Sequence, residues 1–310
     1  MQSSIMNLNP ILLEVTIHVS SNFKGYLFTG KLVKSFLIDA NPKLKTLFIK
    51  TKGITPKLIH ITPLFKIENG KVKCIYSEAK NLKKNGREVK IITPITVNGT
   101  YTFYIGFLER AHKEGFKDSL SFEEIYNTLL DINGVHVFKK TKFRVELLSI
   151  NIVDVHRLSE TLAKDTIGNG KVRIIFASPT LLRDPLRTSK HKSLLASPLN
   201  IFSTPVFIHL YVSGTYIKKK YMKTLLLLHR LLNEPYSIYD TVHIKWIYYE
   251  KNPIPTIIGY INLHLNKSYY EIYSRKYDIE NLLKTIYTYM LTLGTGTSRA
   301  TGFGHIIIKI

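Results

Sequence analysis

The chain is poor in acid. Its 310 residues carry 22 Asp and Glu against 44 Lys and Arg, a net charge of +22. An imbalance of that size favours a polyanionic partner, because each neutralised phosphate releases condensed counterions. Cysteine is almost absent. Cys74 stands alone, which excludes an internal disulfide and any multi-cysteine metal site. The lone thiol reads as a small hydrophobe, buried or half-buried. The 11 histidines are scattered, and with carboxylates so sparse none of the usual metal-ligand sets is present. Long apolar runs are missing too. Stretches such as Leu225 to Leu228 fall far short of the roughly 20 residues that span a bilayer. The opening MQSSIMNLNP has neither the basic start nor the long apolar centre of a signal peptide. These absences predict a soluble cytoplasmic protein with no membrane partner, no metal and no other cofactor.

What is there is a folded protein. Hydrophobic residues make up 45% of the chain, too many for a disordered one, and its length suits two ordinary domains. The basic excess and the 19 tyrosines together point to nucleic acid.

Periodicity organises the chain into two similar halves. Ile11 to Ser20 reads as a strand. Gly25 to Ala40 follows with helical spacing, placing Leu32, Val33, Phe36 and Leu37 on one face and Lys31 and Lys34 on another. Asn41-Pro42 stops that helix and starts another, with Asn41 as N-cap and Pro42 at the first helical position. Strands are expected at Lys57 to Phe65, Lys71 to Tyr76, Tyr101 to Leu108 and Thr141 to Val153. A helix capped by Ser121, with Glu124 completing a capping box, runs to Leu130. Asp154 to Gly170 is polar, ends in GNG and reads as a linker. After it come a strand at Lys171 to Ala177, a helix at Tyr221 to Leu232, strands at Thr241 to Glu250 and Thr256 to Leu265, a helix capped by Asp278, and a last strand from Gly304 to Ile310. Each half reads β-α-β-β-α-β, a ferredoxin-like unit. The fold expected is α+β, with two tandem ferredoxin-like (RRM-like) domains over residues 1–158 and 159–310, the second carrying a glycine-rich loop. Such sheets are a frequent RNA-binding platform.

The loop is LGTGTSRATGFGH, in which Gly294, Gly296, Gly302 and Gly304 flank Arg299. A nucleotide-binding fingerprint needs strand, glycine turn, then helix, so that phosphates meet a helix N-terminus. Here a helix comes first and a strand follows, so the nearest helix end is its negative C-terminus. A phosphate-binding loop of the nucleotide type is excluded. Two readings remain: backbone amides forming an anion-binding nest, or a loop that must pack tightly under another element. The arginine, in so basic a chain, favours contact with an RNA backbone.

Those glycines before a terminal strand resemble the signature of the RAMP superfamily. More narrowly, the chain resembles the CRISPR-associated endoribonuclease that cuts precursor CRISPR RNA. The resemblance rests also on GKLVKSFLIDANPKLKTLFIKTKGITPK (Gly30 to Lys57), LIHITPLF (Leu58 to Phe65), VRIIFASPTLLR (Val172 to Arg183) and YSIYDTVHIKWIYYEKNPIPTIIGY (Tyr236 to Tyr260). It implies RNA crossing the face between two ferredoxin-like domains. Cleavage would need no metal, because the RNA supplies the 2′-hydroxyl nucleophile. The resemblance also implies a Tyr, a His and a Lys at the catalytic site. Anchored on Asn41-Pro42, those positions hold Lys34, Ile49 and Lys57. Either the protein binds repeats without cutting, as an inactive subunit of an effector complex, or it cuts with lysines and arginines.

The catalytic candidates are Lys31, Lys34, Lys57 and Arg230. Lys31 and Lys34 lie one helical turn apart, and clustered ammonium groups lower one another's pKa toward the range useful for proton transfer. Arg230 can equally clamp a phosphate. RNA-binding candidates are Gly294, Gly296, Arg299, Gly302, Gly304, Lys218, Lys220 and Arg275, with Lys219 in the same run. Tyr26 and His60 could substitute for the lost acid/base pair. His305 could donate to RNA or be a satisfied strand-end residue. Trp246, Tyr248 and Tyr249 read as strand core. The partner implied is CRISPR repeat RNA, with a homodimer and transient contact with an effector complex left open.

Overall fold

The structure is a computed structural model describing residues 8–48, 55–68, 71–84, 87–110, 120–187, 192–234, 238–250 and 252–310. In the first half, Leu8–Ser20 lies between Thr141–Val153 and Gly99–Arg110, antiparallel to both. Ile59–Ile61 and Phe65–Glu68 pair with the far side of Gly99–Arg110. The strands therefore lie in the order fourth, first, third, second. In the second half Ile306–Lys309, Lys171–Thr180, Asn252–Leu265 and Val242–Tyr249 repeat that order. This is the tandem ferredoxin-like architecture expected, and each half has its own apolar core.

Local signals held where capping fixed them. Ser121 Oγ accepts from Glu124 N at 3.0 Å and starts Phe122–Leu130. Asn41 Oδ1 accepts from Lys43 N at 3.1 Å, and Pro42 opens a 3-10 turn, Pro42–Leu44, that runs into the short helix Lys45–Phe48. Asp278 caps Ile279–Leu293.

Several elements differ from expectation. The stretch read as a linker is a helix, Val155–Asn169, started by Asp154 and ended by Gly170 at φ +67°. The boundary placed between residues 158 and 159 falls inside it. Its buried stripe is Val155, Ser159, Leu162, Ala163 and Thr166, a helical spacing disguised by two polar members. Those two bond across to the helix Ile279–Leu293: Ser159 Oγ lies 2.7 Å from Thr288 Oγ1, and Thr166 Oγ1 lies 3.2 Å from Tyr287 Oη. A second helix, Pro198–Val212, was not anticipated. It is buried nearly all round, so it has no polar face to give it a period. Finally, the hairpin Glu78–Lys84/Arg87–Ile92 leaves the first half and extends the sheet of the second. Ala79 and Glu78 pair with Trp246 and Ile247, and Lys245 Nζ meets Glu78 Oε1 at 2.8 Å.

The halves are thus interlocked, and an apolar seam lies between them. Phe28, Leu181, Ile247 and Phe303 are buried there, with Tyr249 packed against them. The Phe28 and Phe303 rings stack with centroids 4.3 Å apart. Burying each such side chain is worth about 1.5–3 kcal/mol. Of the three aromatics expected in the strand core, Trp246 is 41% exposed, and Tyr248 and Tyr249 are half-buried. Alternation along Val242–Tyr249 turns Ile244 and Trp246 outward and Ile247 inward.

Candidate active site

The helix Thr29–Ala40 begins against the glycine run. A Cβ on Gly30 would lie 2.4 Å from the Thr301 carbonyl oxygen and 2.8 Å from Gly302 Cα. That contact sets Lys31, the next residue, at the seam. Its Nζ lies 2.6 Å from Glu250 Oε1 and 4.2 Å from the centre of the Tyr249 ring. Both partners come from the hairpin Val242–Tyr249/Asn252–Leu265 of the second half.

Lys34 follows one turn on, with Nζ 5.2 Å from the centre of the Phe48 ring. Partial burial, and then the charge of Lys31, hold its pKa below the usual lysine value. Lys57 Nζ donates to the Leu47 carbonyl at 2.9 Å. Lys34 and Lys57 therefore both rest against the short helix Lys45–Phe48, and Lys34 also feels the charge of Lys31. No carboxylate among the described residues pairs with Lys34.

The glycine run faces inward. Gly294, Gly296, Gly302 and Gly304 are all buried, at φ of +69°, +75°, +105° and +82°. Added Cβ atoms would meet the backbone of Gly304, Leu181, Gly30 and Thr295 respectively. Of the two readings of the sequence, tight packing is the one these contacts express. Thr297, Ser298 and Thr301 are its accessible residues. Arg299, expected on RNA, is only 7% exposed. Its Nη1 donates to the Leu293 carbonyl at 2.8 Å and its Nη2 to the Lys57 carbonyl at 3.0 Å. Burial lowers its pKa to about 10, so it remains a cation at neutral pH. The guanidinium is engaged inside the fold, tying the glycine run to the residue that carries the third lysine.

Neither seam histidine reaches the surface. His60 Nδ1 donates to the Arg299 carbonyl at 3.1 Å, and His305 stacks on Tyr104 at 4.8 Å and on His60 at 5.6 Å. Burial pushes the pKa of His305 down to about 4; burial, then His305 and Arg299, push that of His60 well below the ordinary value. As an acid/base substitute His60 is ruled out by its burial, and His305 is similarly withdrawn from RNA. Tyr26 is 47% exposed and packs edge-on against Tyr248.

The remaining cations stand on the helical layer of the second half. Arg230, on Lys218–Leu231, donates from Nη1 to Tyr273 Oη at 3.0 Å. Arg275 is the C-cap of Lys267–Ser274, the helix that carries Tyr273. Arg230 thus contacts the helix whose C-cap is Arg275. Lys218, Lys219 and Lys220 crowd the positive N-terminal end of their helix, where cations are unfavourable unless an anion joins them. Sequence reasoning missed Tyr249 and Glu250 as neighbours of Lys31. The available signal was a glutamate in a hairpin turn, where Asn or Gly is usual.

No family model matches the chain. Two curated relatives align with it along most of their length: the CRISPR-associated endoribonucleases Cas6 2 and Cas6 1 of Saccharolobus solfataricus. The first is 28% identical, over 94% of this chain and 89% of its own. The second is 27% identical, over 94% and 90%. Among solved structures, a Cas6 product complex superposes with a TM-score of 0.58 at 15% identity, covering 97% of this chain and 100% of that one. Thermus thermophilus Cas6 gives 0.53 at 12% identity, over 97% and 99%. Along nearly its whole length the chain is thus similar to CRISPR-associated endoribonucleases of the Cas6 type, and it shares the fold of solved Cas6 structures. The expected tyrosine position holds Lys34, one helical turn from Lys31. The expected histidine position, Ile49, lies outside the described residues. No helix among the described residues is long and apolar enough to cross a membrane.

Proposed function

We propose that this protein is a metal-independent endoribonuclease that cleaves CRISPR repeat RNA in the cytoplasm to mature guide RNAs. The observation that carries the reading is the pair Lys31 and Lys34 beside the seam between two ferredoxin-like halves, with Lys57 held on the same short helix that Lys34 touches. The endoribonuclease relatives support RNA cleavage as its purpose. Exposed Lys218, Lys220 and Arg275 would hold flanking phosphates. Gly294, Gly296, Arg299, Gly302 and Gly304 would serve RNA by shaping the platform beneath it.

The chemistry asks little of the protein. The 2′-hydroxyl beside the scissile phosphate loses its proton to a lysine amine. Its oxygen forms a bond to phosphorus, and the bond to the 5′-oxygen breaks. The electron pair leaves with that oxygen, which takes a proton from an ammonium group or water. The products are a 2′,3′-cyclic phosphate and a 5′-hydroxyl, with no atom gained or lost. Clustered cations stabilise the phosphorane charge, and the fold holds the attack in line. Lys34, its proton loosened by burial, is the amine suited to the first step.

The test uses labelled repeat RNA in EDTA, with 2′-deoxy substitutions at candidate cut sites. Cleavage in EDTA that one deoxy position abolishes is expected. Tight binding without cleavage would instead favour an inactive RNA-binding subunit, the reading supported by Ile49 at the usual histidine position.

A further inference from the structure

Glu250 breaks a local rule. It sits in the turn after Val242–Tyr249 with φ +60°, the left-handed region that Gly, Asn and Asp occupy at least cost. A glutamate there is strained, and such strain persists where something else requires the side chain. Its carboxylate lies 2.6 Å from Lys31 Nζ, although 219 residues separate the two in sequence. The Tyr249 ring supports the same ammonium from another side.

We propose that Glu250 is a positioning residue: its carboxylate pins Lys31 as the fixed cation of the site and leaves Lys34 as the lysine that exchanges the proton. This rests on the reading that these lysines cleave RNA. Two like amines one helical turn apart cannot serve as cation and base at once unless their surroundings differ. Here they do. Lys31 has a carboxylate and an aromatic face contributed by the other half. Lys34 has the Phe48 ring, partial burial and a cationic neighbour. Of the charged groups described near this helix, Lys57 donates to the Leu47 carbonyl. Arg299 and His60 are buried against its start, and Asp39 faces His136 at 3.5 Å near its far end. Glu250 is largely exposed, so replacing it does not threaten the core. The second half thereby does more than cover the first: it supplies the residue that tells the two lysines apart.

Cleavage of repeat RNA across pH 5 to 10 tests the idea in wild type, Glu250→Gln, Glu250→Asp, Lys31→Ala and the Lys31→Ala/Glu250→Gln double variant. Glu250→Gln should lower the rate about three- to tenfold, as befits a partly screened ion pair, and displace the pH–rate profile. Glu250→Asp should restore most of both. In the Lys31→Ala background the second change should add nothing, since Glu250 acts through Lys31. An unchanged profile in Glu250→Gln, or an equal loss with Lys31 already removed, overturns the proposal. Should wild type not cleave, the endoribonuclease reading fails by itself. The pairing is then read without RNA, by NMR titration of glutamate carboxyls in the full chain. The Glu250 signal, identified by its loss in Glu250→Gln, is held below the usual carboxylate range by Lys31 and should titrate at higher pH in Lys31→Ala. An identical titration sinks the proposal.

Discussion

Gly30 and Gly302 meet backbone to backbone: a Cβ on either would lie 2.8 Å from the Cα of the other. One opens the helix of Lys31 and the other belongs to the C-terminal glycine run. Gly302→Ala adds a left-handed backbone penalty at φ +105° to that collision. It should cost at least about 2 kcal/mol in urea unfolding. Gly168 is the control, because it sits in a helix with nothing within 4 Å of its Cβ position. Gly168→Ala should stabilise by about 0.5–1 kcal/mol.

The lysines should separate by role in single-turnover cleavage. Lys34→Ala should cost about 10²–10³-fold, through loss of proton transfer and of charge on the phosphorane. Lys31→Ala should cost about as much, and Lys57→Ala somewhat less, because Lys57 also holds the Leu47 carbonyl. Arg230→Ala, on the helical layer of the second half, should weaken binding less than about tenfold while sparing the chemical step. A cleavage defect in Arg230→Ala larger than that of Lys34→Ala would reverse the assignment.

Arg299→Lys separates a structural role from an RNA contact. Lysine keeps the charge but cannot bridge the Leu293 and Lys57 carbonyls with one planar fork. Melting should reveal a loss of about 1–3 kcal/mol, the cost of a buried acceptor left unpaired. The salt slope of RNA binding should stay the same, because no phosphate contact is lost.

The buried histidines make stability pH-dependent. His305 has a folded-state pKa near 4, against an ordinary 6.5 for the unfolded chain. Between those values the unfolded chain binds the proton and the folded one does not. The contribution of this site is therefore complete above pH 6.5 and is lost as pH falls toward 4. His60, displaced in the same direction, adds to the slope. Melting temperature should fall steadily from pH 7 to pH 5. His305→Gln should flatten the fall, and a slope unchanged in that variant would mean the histidine is not buried in solution.

Much of the architecture was legible because it is locally encoded. Ser121, Asp278 and Asn41-Pro42 announce helix starts through caps that need only three or four residues. What stayed hidden had lost its period or its local cause. Pro198–Val212 has no polar face, and Val155–Asn169 buries Ser159 and Thr166 among its apolar residues. The hairpin of residues 78–92 joins a sheet belonging to the other half, a pairing no local pattern specifies.

The same division runs through the site. Local pattern specifies a basic two-part α+β protein, puts Lys31 and Lys34 on one helix turn, and marks Arg299 and its glycines as unusual. Which way those residues face follows from long-range packing. It draws the glycines and Arg299 inward, holds Lys57 on the short helix that Lys34 touches, and sets Glu250 against Lys31. Helical spacing is a property of neighbours along the chain. Burial and ion pairing depend on which distant backbones can approach closely, and here that depends on glycines meeting across the seam.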